Sequence, residues 1–191
     1  MHRRRILALP LACLPLFAAA MGQEPELPED RVQVVYENDM YVGRFSFLVP
    51  VPPTVAWEAL TDFDRMAGVI PNLEASRIVA REHNTLLVAQ RGRLGFGPLA
   101  IPFESQRRVE MRQREGLLIS RAISGNARHM LSEMRLTPEA AGTRLDYRLE
   151  MIPDRWLPSS LGIGFMRREM AEQFTALARE MVRRQELRRG T

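Results

Sequence analysis

Between residues 76 and 152 the chain carries six strand-length segments in succession, and only near residue 160 does one long helical pattern begin. The segments fall at 76–82, 85–93, 99–112, 116–124, 129–137 and 143–152. Turn-forming residues separate them: His83-Asn84, the glycines at 92, 95 and 97, Glu115-Gly116, Gly125-Asn126 and Ala141-Gly142. Connections this short leave no room for a crossover, so successive strands must pair as antiparallel hairpins in a meander. Leu145, Tyr147, Leu149 and Met151 share one face, while Asp146, Arg148 and Glu150 share the other. Met130, Met134 and Leu136 repeat the pattern against Glu133 and Arg135. One face of the sheet is therefore wet and the other must be covered. The parity of 76–93 is ambiguous and is left unassigned. The cover is the C-terminal helix: Ile163, Met166, Met170, Phe174, Leu177 and Met181 recur at steps of three and four, the period of one helical face.

Upstream, Val32, Val34 and Tyr36 alternate, Asn38-Asp39 makes a turn, and Tyr41 to Val49 alternates again before Pro50, Pro52 and Pro53 stop it. Thr54 is placed to cap a short helix carrying Val55, Trp57, Ala59 and Leu60. Asp62 is placed to start a second short turn through Met66, closed by Pro71-Asn72. The expected fold is α+β: a curved antiparallel sheet of six to seven strands around one long helix, with two short helices after the opening strand. Such a sheet is roughly 30 Å wide, whereas a helix is about 10–12 Å across. One helix cannot cover it flat. The sheet must curl, and an apolar space is expected between helix and sheet, suited by the 11 methionines of the chain with their adaptable thioethers.

Residues 1–20 read as an export address: His2 and Arg3 to Arg5 are basic, Ile6 to Ala20 is apolar, and Ala18 to Ala20 offer a cleavage site. The apolar run is short for a membrane span and holds Pro10 and Pro15. The expected location is periplasmic. Residues 21–30 read as a flexible leader, 31–187 as a single domain and 188–191 as a frayed tail. All 27 basic residues are arginine, which removes lysine Schiff bases and lysine phosphate loops from consideration. Three of those arginines lie in the address, so the remainder is nearly neutral and has no electrostatic footprint for nucleic acid. Cys13, the only cysteine, also lies in the address, so no disulfide or thiol chemistry is expected after cleavage.

No metal is expected, because His83 and His129 stand apart at strand ends and no ligand spacing accompanies them. No cofactor, nucleophile or acid–base motif emerges, and a binding protein is favoured over an enzyme. Gly92-Arg93-Leu94-Gly95-Phe96-Gly97 precedes a strand rather than a helix, so it reads as a hairpin tip and not a phosphate loop. Arg107 shares parity with Ile101, Phe103, Val109 and Met111. Arg121 shares parity with Leu117, Ile119 and Ile123. If both point inward they need partners, either a carboxylate or a ligand head group. The competing readings are a β-bulge that turns them outward, or pairing with Glu104, Glu110 or Glu133.

The segment VPVPPTVAWEALTDFDRMAGVIPNL (49–73) resembles the opening of the START-like, or SRPBCC, superfamily of polyketide cyclase/dehydrase and lipid transport proteins. The Pro-rich entry, Trp57, Leu60, Thr61, Asp62, Phe63 and Pro71 carry the likeness. RGRLGFGPLAIPF (91–103), PDRWLPSSLG (153–162) and FMRREMAEQFTALAREM (165–181) are similar to the coenzyme Q-binding branch. The resemblance implies a helix-grip fold enclosing a hydrophobic tunnel. It implies a carrier of a hydrophobic small molecule (lipid, isoprenoid or quinone), with transient contact with a membrane surface. The alternatives are a cyclase- or aromatase-like enzyme, or a partner-binding module with a filled core. Side chains expected at the ligand are Met66 and Ile70 from the short helices, and Ile101, Phe103, Ile119, Met134 and Tyr147 from the sheet. Met166, Met170 and Phe174 follow from the long helix, Phe96 and Trp156 from the mouth, and Arg107 and Arg121 as polar contacts.

Overall fold

The computed structural model describes residues 24–96, 99–154 and 159–190, with the side chains of Phe96 and Leu99 excepted. The proposed export address and Trp156 as a mouth residue lie outside the described residues, as does the side chain of Phe96.

Alternation and tight turns produce the expected meander. The strands are β1 (Gln33–Glu37), β2 (Met40–Val49), β3 (Leu73–Glu82), β4 (Thr85–Phe96), β5 (Leu99–Arg112), β6 (Leu117–Gly125), β7 (Ala127–Glu139) and β8 (Gly142–Pro153). They form one antiparallel sheet in the order β1-β2-β8-β7-β6-β5-β4-β3. The sheet has eight strands, slightly more than the six or seven expected, because residues 33–49 fold back on themselves. Asn38 and Asp39 both take positive φ, 51° and 60°, the two-residue geometry that closes a hairpin. For the same reason the short helices follow the second strand rather than the first.

Helix α1 (Pro53–Thr61) starts on a proline, with Pro52 in the cap position and no side-chain cap. The Pro53 ring supplies the helical φ at a position where a missing N–H costs nothing, so Thr54 lies inside the helix and does not cap it. A 3-10 segment, Phe63–Gly68, follows. Together these elements carry the chain from β2 to β3, which lies at the opposite edge of the sheet.

Helix α2 (Ser159–Arg189) lies on the inner face and packs chiefly on β1, β2 and α1. Its stripe is buried as expected: Met166, Met170, Phe174, Leu177 and Met181 are all inside. The approach is close. A Cβ on Gly43 of β2 would stand 2.6 Å from the Met170 sulfur, and one on Gly162 would stand 2.2 Å from the Tyr41 hydroxyl. Gly162, which weakens the first turn in an isolated helix, is what lets that turn sit against Tyr41.

Two stretches expected to be loose are held. In 24–30, read as a flexible leader, Leu27 is buried in the core and its N–H donates to Thr175 Oγ1 at 2.9 Å. Glu24 pairs with Arg179 at 3.1 Å. At the other end α2 continues to Arg189, and Arg188 pairs with Glu58 of α1. One more clamp joins the helices: Arg184 donates to Asp62 at 2.8 Å and to Glu180 at 2.7 Å. Asp62, expected to cap the 3-10 segment, makes no cap bond and instead ties the end of α1 to α2.

Met181→Ala, at a position with no exposure, is expected to lower the unfolding free energy by about 2–5 kcal/mol. Leu161→Ala, at 52% exposure, should shift it by less than about 0.5 kcal/mol. Urea titration of the two variants checks the contrast; equal shifts would mean that α2 is not gripped as described.

Candidate functional site

The apolar interior falls into two clusters. The larger lies under α2 and includes Phe45, Trp57, Met134, Leu145, Leu149, Met170 and Phe174. The smaller lies under the 3-10 segment and comprises Phe63, Met66, Leu73, Leu86, Val88 and Val109. Ile70 and Met111 pack against both and are themselves only partly buried. A seam therefore runs between the clusters.

Polar side chains collect on the inner face of the strands at that seam. Cross-strand pairing sets Ser76 of β3 beside Gln90 of β4, and Gln90 beside Ser105 of β5. Arg107 is the next inward residue on β5. Val109 pairs with Ser120 of β6, and Ser120 with Ser132 of β7. Tyr147 of β8 stands opposite Met134, hydrogen-bonded to Ser132. The belt is partly linked: the Gln90 amide donates to Ser76 Oγ at 2.9 Å, lies 3.8 Å from the Met66 sulfur, and accepts from the Arg107 guanidinium through Oε1.

Arg107 and Tyr147 are enclosed by protein, yet both keep accessible surface. Burial pushes the Arg107 guanidinium below its ordinary pKa, partly countered by Tyr147, though arginine stays charged at any physiological pH. Burial likewise raises the Tyr147 phenol, with Ser132 and Arg107 acting in the opposite direction. Tyr147 is thus a neutral hydrogen-bonding group at neutral pH. Its ring centre lies 4.7 Å from that of Phe174 and 5.4 Å from that of Phe45, both in tilted contact, which fixes it between sheet and helix.

Met66, Met134, Met166, Met170 and Phe174 are buried, and Ile70 and Phe103 are partly buried, all facing the interior. Three expectations are corrected. Arg121 is exposed, because Leu118, Ser120 and Ala122 take the inner face and place Leu117, Ile119, Arg121 and Ile123 outside. Ile119 is only 8% exposed but belongs to that outer face, paired with Glu110 and Glu133. Ile101 is 40% exposed, since β5 runs past the covered part of the sheet. For Arg107 the inward orientation holds, and its partner is an amide rather than Glu104, Glu110 or Glu133. Residues not anticipated were Ser76, Gln90, Ser105, Ser120 and Ser132. Ser132 was within reach, lying between Met130 and Met134 on the face already assigned inward.

Elsewhere, a depression of about 200 Å³ is lined by Phe45, Leu117, Glu133, Arg135, Asp146, Tyr147 and Arg148, so of the belt only Tyr147 touches it. Glu169 of α2 is only 8% exposed; desolvation, then repulsion from Glu172, raises its carboxyl pKa. Among the described residues no group of histidines, cysteines and carboxylates forms a metal site, and no helix is long and apolar enough to cross a membrane.

A curved antiparallel sheet gripping one C-terminal helix defines a helix-grip protein of the START/SRPBCC class. The sequence matches the family described as polyketide cyclase / dehydrase and lipid transport over residues 43–182, and the chain belongs to it. Comparison with curated proteins finds no match. Among solved structures, the ZhuI aromatase/cyclase from Streptomyces sp. R1128 is 17% identical with a TM-score of 0.65, covering 76% of this chain and 95% of that one. A START superfamily protein from Mycobacterium smegmatis is 12% identical with a TM-score of 0.65, covering 74% and 97%. A STAR-related lipid transfer protein from Xanthomonas axonopodis is 12% identical with a TM-score of 0.61, covering 80% and 99%. At these identities the likeness is one of fold.

Two measurements test the electrostatics. Gln90→Leu should cost about 1–3 kcal/mol by stripping the buried guanidinium of its acceptor. In an Arg107→Met background the same change should cost clearly less, a coupling that a double-mutant cycle reads directly; strict additivity would show that the two do not interact. Glu169 has a folded-state pKa raised above its ordinary 4.5, so ionising it opposes folding. Glu169→Gln is expected to stabilise the protein at pH 7. That gain should shrink as pH falls towards 4.5 and be absent below it, as melting temperatures across pH would show.

Proposed function

We propose that this protein is an exported carrier that holds an elongated hydrophobic small molecule, of the lipid, isoprenoid or quinone kind, in the seam between the sheet and α2. The observation that carries this reading is the divided core, with Arg107 and Tyr147 enclosed yet accessible. Methionine and phenylalanine walls would supply affinity through burial of apolar area, at about 25 cal/mol per Å², while a few polar groups orient the guest. The family's description, which includes lipid transport, supports the same class. Export rests on the basic–apolar–small pattern of residues 1–20. The alternatives within the family, a cyclase-like enzyme or a coenzyme Q-binding role, draw on the same space. A phenol kept protonated beside a guanidinium is suited to holding an oxygen atom rather than to removing a proton, which favours the carrier.

The experiment is native mass spectrometry with organic extraction, applied to the full chain expressed in a Gram-negative host and recovered from the periplasmic fraction. A stoichiometric adduct released as a lipid-like molecule is the expected result. Protein retained in the cytoplasm removes the export claim, and ligand-free protein that also takes up no added lipid removes the carrier claim.

A further inference from the structure

Three of the four buried side-chain polar atoms without a hydrogen-bond partner among the described residues belong to one patch: Ser105 Oγ, Arg107 Nε and Ser120 Oγ. On the inner face Ser105 is two residues before Arg107 on β5, and Ser120 pairs with Val109, two residues after it. Arg107 has only a neutral amide as acceptor, and no carboxylate is among the groups that act on it. A partly buried guanidinium with no counter-charge is a costly arrangement to keep. It is stabilised when an anion arrives, because a guanidinium binds carboxylate and phosphate oxygens through two parallel hydrogen bonds.

Resting on the carrier reading above, we propose that the guest is an acidic amphiphile whose carboxylate or phosphate head docks on Arg107. The guanidinium supplies the fork, its unpartnered Nε included, and the unpartnered hydroxyl of Ser105, two residues away on the same strand face, donates to a head oxygen. Gln90 accepts through Oε1 from Nη2, the terminal nitrogen beside Nε, and is itself fixed by Ser76, which orients the guanidinium. The tail runs along the apolar walls. The Arg121 side chain, exposed on the outer face, takes no part.

The test measures binding of dodecanoate, dodecyl phosphate and dodecanol, each below its aggregation concentration, to delipidated full-length protein at pH 7.5. Wild type is expected to bind at least one of the two anions about ten- to a hundredfold more tightly than the alcohol, the span given by charge-assisted hydrogen bonds; the tighter anion identifies the head. Arg107→Met should bring all three within about threefold while leaving dodecanol binding in place, and Arg107→Lys should keep part of the preference. Equal binding of acid and alcohol by wild type, or a preference that survives Arg107→Met, overturns the acidic head while the carrier reading stands. Failure of all three to bind overturns both. The wild-type comparison decides the matter even if a variant does not fold.

Discussion

The width of the sheet against the width of one helix is the constraint from which the interior follows. Eight paired strands expose an inner face several times broader than α2 can cover. The chain meets this in two ways: α2 covers the β1, β2 and β8 side, and the 3-10 segment covers the β3 to β5 side. Between them α1 packs on β7 and β8. Ile70 and Met111 touch both clusters without being fully buried in either, and so mark the line where the two covers meet. Since interiors otherwise pack densely, a seam in this place is a consequence of topology and not of any one side chain.

What the seam contains is chemically specific. A dry core would be filled by apolar side chains, because each buried polar group left without a partner costs about 1–3 kcal/mol. Here seven polar residues from six consecutive strands, β3 to β8, face the same stretch of inner surface. The belt is only partly satisfied from within: Ser76, Gln90 and Arg107 are joined in one chain and Ser132 with Tyr147 in another, while Ser105 and Ser120 have none of these bonds. A fully connected belt would have been a structural network. One with unpartnered donors and acceptors at its centre is what the proposed guest would complete.

Much of this was legible in the chain, and what was not has physical causes. Short turns between alternating segments dictate an antiparallel meander, and Met166, Met170, Phe174 and Met181 dictate a gripped helix. Which face of a strand is inner is harder, because local hydrophobicity can mislead. On β6 the more apolar set, Leu117, Ile119 and Ile123, faces outward, while Leu118, Ser120 and Ala122 face inward. Arg121 was misplaced with the former set. The inner face holds serines because it borders a polar belt, so the signal that normally marks a core face is inverted where the candidate site lies. The same inversion hides Ser76 and Gln90, whose strands carry no clean alternation. Leu27 was missed for a different reason: a single apolar residue among prolines and acids gives no period, and only the presence of α2 shows where it docks.

The choice of glutamine at position 90 bears on what the space can hold. A glutamate there would have paired with Arg107, cancelled its charge and made the inner face electrically complete, so that a neutral guest would be preferred. An apolar residue would have left the guanidinium without any fixed partner and free to fold towards solvent. The amide does neither. Its carbonyl orients the arginine and its NH2 group is occupied by Ser76, so the positive charge is aimed yet uncompensated. With Tyr147 pinned by Phe45 and Phe174 on the far side, the charge is presented to the seam from a rigid sheet. Selectivity would then reside in the belt and affinity in the thioether and aromatic walls, which can adapt to tails of differing shape without disturbing the head.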